Sequence, residues 1–415
     1  MENLNVGIVG GSIAGCATAI SLSKQGHTVK LYERSMGRLE DRGAGIGLPI
    51  PTLENLQSRG LLGADFPYLT ISNRYYKVPS REFMGKTIWT QALGALALTN
   101  WGALYRDLRS RVDDDSYHTG LPVIKITQDK IGAYLHFENG TAEKFDLVVC
   151  ADGVDSIGRS LVSSGSCINY AGYIAWRGFI PETEMPNLEG PLQSNVNELV
   201  GQHALMSDKG HGIVYLIPGF NGETKQGERL INWLWYENVA KENLDEALAG
   251  RTHGNSSVQP GYVPKYRTDY LQNESSRLFP AYFSDIVHKT EKPFIQSIFD
   301  MHSNVYASGK LCILGDAATT VRPNSASGVV HAMTNAVKLA DYLSSSISMA
   351  EGLSSWNMDQ VEYGYGLVEL SRKVGKALQD PTTSWKSMDS NSMEIWWDSV
   401  MGDQNWYVTD SKNRN

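Results

Sequence analysis

Residues 6–33, VGIVGGSIAGCATAISLSKQGHTVKLYE, set out a strand, a tight glycine turn, a helix, a second strand and a terminal carboxylate. Val6 to Val9 form a short β-branched run of the kind found in buried parallel strands. Gly10 and Gly11 turn the chain, and Ile13, Ala17 and Ile20 recur at helical spacing. Gly15 lets that helix approach the sheet, so backbone N–H groups at the helix start face whatever anion sits in the turn. The pattern predicts a pyrophosphate there and, at Glu33, a carboxylate placed for a ribose diol. Ser12 departs from the pattern, because it stands at the second glycine of G-x-G-x-x-G. No Gly-Lys-Ser/Thr follows, which argues against a P-loop.

The chain of 415 residues is long enough for two structural units. A formal charge of -8 leaves no broad basic surface for nucleic acid. The four cysteines, Cys16, Cys150, Cys167 and Cys312, are scattered without a CxxC pair, so neither a metal site nor a disulfide framework is expected. No apolar stretch is long enough to span a bilayer, and the amino terminus does not read as a signal peptide. A cytoplasmic enzyme without membrane partners is the expectation, and a homodimer is compatible with it.

The expected class is α/β with an α+β second unit: a Rossmann-like domain on a parallel sheet, a substrate domain on an antiparallel sheet, and C-terminal helices. Residues 75–100 loosen in pattern before a helical segment from Trp101 to Val112. Residues 121–149 alternate with the period of strands, and Asn139-Gly140 marks a hairpin. From 170 to 239 the texture turns to aromatic-rich strands, and at Lys310 to Leu343 it reverts to strand, loop and long helix. The expected domains are therefore 1–74 with 101–169 and 286–345, then 75–100 with 170–285, then a helical extension at 346–415 ending in a frayed tail.

Seven segments occur in a shared order: GGSIAG, ER at 33–34, DRGAGIGL at 41–48, CADGVDSIGR at 150–159, YAGYIAWRG at 170–178, GHGIVYLIPG at 210–219 and LGDAATTVRPNSASG at 314–328. By these, residues 4 to 345 resemble the FAD-dependent aromatic-ring monooxygenases of the para-hydroxybenzoate hydroxylase type, and within them the 2,6-dihydroxypyridine 3-hydroxylase branch. The resemblance implies FAD as cofactor, NADPH or NADH as transient electron donor, O2, and a small aromatic or N-heterocyclic substrate hydroxylated by way of a flavin C4a-hydroperoxide. It implies FAD contacts at Gly10, Ser12, Ile13, Gly15, Glu33, Arg34, Arg42, Gly43, Ala44, Asp152, Gly315, Asp316, Pro323 and Gly328. Arg106 stands one turn after the position, here Trp101, where many relatives carry an arginine for the adenosine diphosphate. Asp152 has a second reading as a helix cap. The helix that begins near Ser327 points its positive end at the expected ring position.

Such a reaction asks little of side chains beyond orienting the ring, excluding water and handling a ring proton, since the cofactor carries the oxygen chemistry. His211, ahead of the strand Ile213 to Ile217, is the natural group to exchange a proton near neutral pH. Tyr215, on the face shared by Ile213 and Ile217, and Asn324, where close relatives often carry histidine, complete the candidates. Trp176, Arg177 and Trp235 are expected as walls for a flat substrate, with core packing the competing fate of the tryptophans. Two other activities remain open at this level: Baeyer–Villiger-type oxygen insertion on a fused N-heterocycle, and oxidase or reductase activity without oxygen transfer.

Overall fold

The computed structural model describes residues 3–37, 45–185, 201–250 and 257–402. Two large sheets organise it. The first runs in the order 307–308, 311–313, 147–150, 5–9, 28–33, 117–119, and every pairing is parallel except the 307–308 edge. Asn5–Val9 lies at its centre, with Val9 opposite both Cys150 and Tyr32. Its neighbour Leu147–Cys150 is buried at all four residues, as a strand covered on both faces must be. The helices Ile13–Lys24 and Gly328–Ser345 share its core; Val330, Met333, Val337 and Ala340 form the buried stripe anticipated from sequence. A three-stranded sheet, 123–128, 133–137 and 142–145, adds Phe137 and Phe145 to the same core. Gly140 makes its hairpin turn with φ +84°.

The second sheet follows the order 257–258, 294–302, 169–181, 230–238, 210–217, 202–207, 69–78, 86–100, 45–49. Its pairings are antiparallel apart from 202–207 against 69–78. It reaches beyond the expected segments: Gly45–Pro49 and Phe294–His302 belong to it, and the seemingly irregular stretch before Asn100 is the long strand Lys86–Asn100. One face carries Trp176, Trp233 and Trp235 and packs on the helices Lys265–Leu278 and Ala281–Lys289. The other face lines a cleft toward the first sheet.

The C-terminal helices are more than an outer layer. Trp356 of helix Met349–Leu378 is fully buried and its indole N–H donates to Asn335 O at 3.1 Å. The end of this helix, with helix Ser390–Met401, covers Ala204 and Met206 on the cleft-facing side of the second sheet. Residues 403–415, the expected tail, lie outside the described residues. No helix among the described residues is long and apolar enough to cross a membrane.

Candidate active site

A cleft of about 550 Å³ separates the two sheets, a size within the range of cofactor and small-molecule sites. One wall is built by the glycine turn. Gly10 adopts φ +103°, a conformation open to glycine, and a Cβ on it would lie 2.4 Å from Ala151 O. A Cβ on Gly15 would meet Gly10 O at 1.9 Å, so the turn and the helix touch backbone to backbone. Neither glycine faces the cleft; they bring Ser12, Ile13 and Ala14, the first residues of the helix, to its lining. A second helix start, Gly328 and Val329, lines the same cleft. Unsatisfied N–H groups and the positive dipole ends of two helices are thereby aimed into one space.

Glu33 is buried behind this wall. Its carboxylate accepts from Gly11 N and Ser35 N, both at 2.8 Å, and so braces the turn. Arg34 is exposed, and Arg42, Gly43 and Ala44 lie outside the described residues. Arg106 donates to Phe220 O at 2.6 Å and does not border the cleft, whereas Trp101 does. Asp152 accepts from Ile157 N at 2.9 Å within the turn and does not cap the next helix, Arg159–Val162, whose N-cap is Gly158, while its neighbours Ala151 and Gly153 line the cleft. Burial pushes the Asp152 carboxyl up.

Gly315 adopts φ +60° and its N–H donates to Asn335 Oδ1 at 3.0 Å. The next residue, Asp316, borders the cleft, reachable through its mouth yet ringed by protein atoms. Desolvation pushes its carboxyl up to about 6, against the opposing pull of Arg159.

Pro323 and Asn324 follow on a loop that also borders the cleft and ends in Ala326, whose φ of +48° is unusual for a residue with a side chain. This loop is clamped from behind. Asp300, fully buried, receives Arg322 Nε at 2.8 Å and Arg372 Nε at 2.9 Å, and Arg322 N donates to Ser371 Oγ at 3.2 Å. The Tyr173 hydroxyl donates to Asn324 Oδ1 at 2.5 Å, which leaves the Asn324 amide nitrogen buried and without a partner.

The opposite wall is the face of the second sheet. Tyr215 lies on it, against Gly45, with Ile213, Leu234 and Tyr236 beside it. Arg177 lies on it too, in register with Leu234 and Phe294. Trp176 and Trp235 do not, in contrast to expectation. They alternate to the far face, where the Trp176 indole donates to Glu237 Oε2 at 2.7 Å and Trp235 packs edge-on against Phe279. A strand buried on both faces is apolar throughout, so the aromatic run itself carried no sign of which side met the cleft. Two lining residues went unnoticed in the sequence: Arg74 and Gln202, adjacent across the one parallel pairing and joined Nε to Oε1 at 2.7 Å. They come from segments 128 residues apart, and neither carries a local signal.

His211 shares the Tyr215 face but does not border the cleft. It packs on Tyr236 with ring centroids 4.9 Å apart and planes tilted by 40°, and its Nδ1 pairs with Oε1 of Gln379, the residue that caps helix 349–378, at 2.7 Å. Burial lowers its pKa to about 4, which keeps the ring neutral. The helix end that covers it is far away in sequence, so the strand pattern gave no hint of the cover.

Comparisons with known proteins agree with this geometry. A model described as FAD binding domain-like matches residues 170–300, and one for an NAD(P)-binding Rossmann-like domain matches residues 8–37. The 2,6-dihydroxypyridine 3-monooxygenase of Paenarthrobacter nicotinovorans is 28% identical over 380 residues, 90% of this chain and 91% of that one. The 6-hydroxynicotinate 3-monooxygenase of Pseudomonas fluorescens is 24% identical and covers 82% of each chain. The structure of 2,6-dihydroxypyridine-3-hydroxylase from Arthrobacter nicotinovorans superposes with a TM-score of 0.81 at 26% identity, covering 93% of this chain and 97% of that one. With its glycine turn, its antiparallel sheet across the cleft and relatives matched along most of their length, the chain is an FAD-dependent monooxygenase similar to the aromatic-ring hydroxylases of the para-hydroxybenzoate hydroxylase type.

Proposed function

We propose that the protein hydroxylates a small, electron-rich N-heteroaromatic ring of the hydroxypyridine kind, consuming NAD(P)H and O2. The observation that carries this reading is one cleft with two unlike walls, helix starts on one side and a polar-studded sheet on the other. The relatives named above act on 2,6-dihydroxypyridine and 6-hydroxynicotinate, both hydroxylated pyridines.

The residues present fit FAD. Ser12, Ile13 and Ala14 offer N–H groups at a helix start for a pyrophosphate. Asp316 is an acceptor for the ribityl hydroxyls, Pro323 supplies a flat apolar surface, and Gly328 opens the second helix toward the ring. The unpartnered Asn324 amide is a donor left over for a bound group. FAD, when bound, would take electrons from NAD(P)H, activate O2 and pass one of its two oxygen atoms to the ring, the other leaving as water.

The protein's own part is placement and exclusion of water. The sheet wall offers Ile213, Leu234 and the Tyr215 ring as apolar surface for a flat substrate, with Asn324 facing it from the loop. Tyr173 fixes the Asn324 amide by donating to its Oδ1, which leaves the NH2 group as a buried donor without a partner. His211, covered and held neutral, has a packing role and leaves the ring proton to other groups. The chain's four unpaired cysteines suit a reducing cytoplasm.

The test is a screen of hydroxypyridines for faster NAD(P)H-dependent flavin reduction, followed by product analysis. One hydroxylated product per NAD(P)H is expected. Oxidation of NAD(P)H that yields only hydrogen peroxide with every ring would defeat the reading.

A further inference from the structure

We propose that Arg177 is the counter-cation that holds the ring substrate through an ionised ring oxygen, an assignment that rests on the hydroxylase reading above. Arg177 belongs to strand Asn169–Pro181, and its cross-strand neighbours Leu234 and Phe294 both border the cleft. Other partly or fully buried arginines have anionic or carbonyl neighbours: Arg74 has Gln202, Arg229 has Glu182 and Arg322 has Asp300, while Arg267 and Arg159, which also keep unpartnered guanidinium nitrogens, have Glu237 at 3.9 Å and Val154 O respectively. Arg177 has none among the described residues, and its Nε is enclosed by protein without an acceptor.

A guanidinium in that state still relies on water in the open cleft. A flat ligand that enters displaces the water, and leaving a charge both dry and unpaired is costly. The occupant must therefore bring an acceptor, and an anionic one gains most. The charges around the cleft agree. The other charged or titratable side chains that line it are Arg74, Tyr215, Tyr236 and Asp316. The single carboxylate stands on the opposite wall, so the sheet wall carries two cations and no acid.

The chemistry gives the pairing a purpose. Transfer of an electrophilic oxygen needs an electron-rich ring carbon, and an oxygen that has lost its proton pushes its electron pair into the ring. Arginine stays protonated at all working pH values, so Arg177 favours the ionised form without accepting the proton, which leaves to solvent as the ring binds. No internal base is then required, in keeping with the covered position of His211.

The experiment compares the holoenzyme with its Arg177→Gln and Arg177→Lys forms. Flavin content is measured first. Binding and flavin reduction are then followed with 2,6-dihydroxypyridine and with its 2,6-dimethoxy analogue, which has no oxygen to ionise. Loss of a charge-assisted hydrogen bond predicts a 10- to 100-fold rise in the dissociation constant of the dihydroxy ring. The expected pattern is that wild type prefers the dihydroxy ring, Arg177→Gln loses that preference while keeping FAD and its KM for NAD(P)H, and Arg177→Lys regains part of it. The pH at which the bound ring ionises, read from its ultraviolet band, should rise in Arg177→Gln. An unchanged preference and band in an Arg177→Gln enzyme whose wild type responds to the ring would overturn the assignment alone. A rise confined to the NAD(P)H KM would overturn it in favour of a dinucleotide phosphate. A wild type that responds to no hydroxylated ring would take down the functional reading and this assignment with it.

Discussion

The wall of the cleft that carries Ser12, Ile13 and Gly328 presents backbone, whereas the wall opposite, with Arg74, Arg177, Gln202 and Tyr215, presents side chains. The backbone wall exists because glycines permit main chain to touch main chain, so its shape and the stability of the first sheet are one property. The side-chain wall stands on a sheet whose largest core cluster lies on its far face, among Trp176, Trp233 and Trp235, although Tyr215, Leu234 and Tyr236 of the wall belong to smaller clusters on the near face. Recognition and stability are separable there at the polar residues Arg177 and Gln202, which belong to neither cluster. Changes on the first wall should damage fold and flavin together, and changes on the second should spare both.

The largest effect is expected where the walls are tied to each other. Asp300→Ala leaves Arg322 and Arg372 without their shared carboxylate and should destabilise the protein by about 3–5 kcal/mol. Chemical denaturation would measure the loss, and a shifted flavin spectrum would report release of the 322–326 loop. Normal stability would mean that the two arginines find other anions. On the backbone wall, Gly15→Ala places a methyl 1.9 Å from Gly10 O. About 3 kcal/mol of stability and most of the FAD should go, toward the upper end of overpacking costs. If Gly15→Ala retained flavin while the sheet-wall variant Gln202→Ala lost it, the contrast between the walls would be reversed.

Titration sharpens the same contrast. The folded pKa of His211, about 4, lies below its ordinary value of 6.5. Its contribution is therefore fully present above pH 6.5 and is lost as pH falls toward 4, on the order of 3 kcal/mol. His211→Gln should flatten stability against pH in that window and leave hydroxylation coupled. An uncoupled variant that makes peroxide would return His211 to the chemistry. Asp316 runs the opposite way. Its folded pKa of about 6 lies above the ordinary 3.8, so its contribution is complete below pH 3.8 and is lost as pH rises through 6. In flavin-free protein, Asp316→Asn should reduce the fall in Tm across that range; an identical slope would show the carboxyl to be solvated. The smallest change is Trp235→Phe on the far face, worth about 1 kcal/mol, with the KM for the ring unaltered. A raised KM there would mean that the far face reaches the substrate.

The first wall was legible because its determinants are local. The run from Val6 to Glu33 holds strand, turn, helix and acid within 28 consecutive residues, and Gly15 is required by its contact with Gly10 in the same run, although Gly10 itself meets Ala151 at the end of a distant strand. The α/β class, the antiparallel second sheet, the 139–140 hairpin and the buried stripe of helix Gly328–Ser345 followed from periodicity and turn chemistry for the same reason. The second wall was legible only in part: Tyr215 and Arg177 were expected near the substrate and border the cleft. Which face of the strand YIAWRGFI meets the cleft depends on helices 265–278 and 281–289 covering the other, so of the three residues expected as walls Arg177 lines the cleft and Trp176 and Trp235 do not. Arg74 and Gln202 become neighbours only when strands from distant segments pair, and His211 is covered only because a helix ending at Leu378 folds back over it. The sequence by itself determined where an anion-binding turn and its sheet must form, since backbone geometry is written in adjacent residues. The tertiary structure decided which side chains line the cleft, because facing and burial are set by segments that meet only in the folded chain.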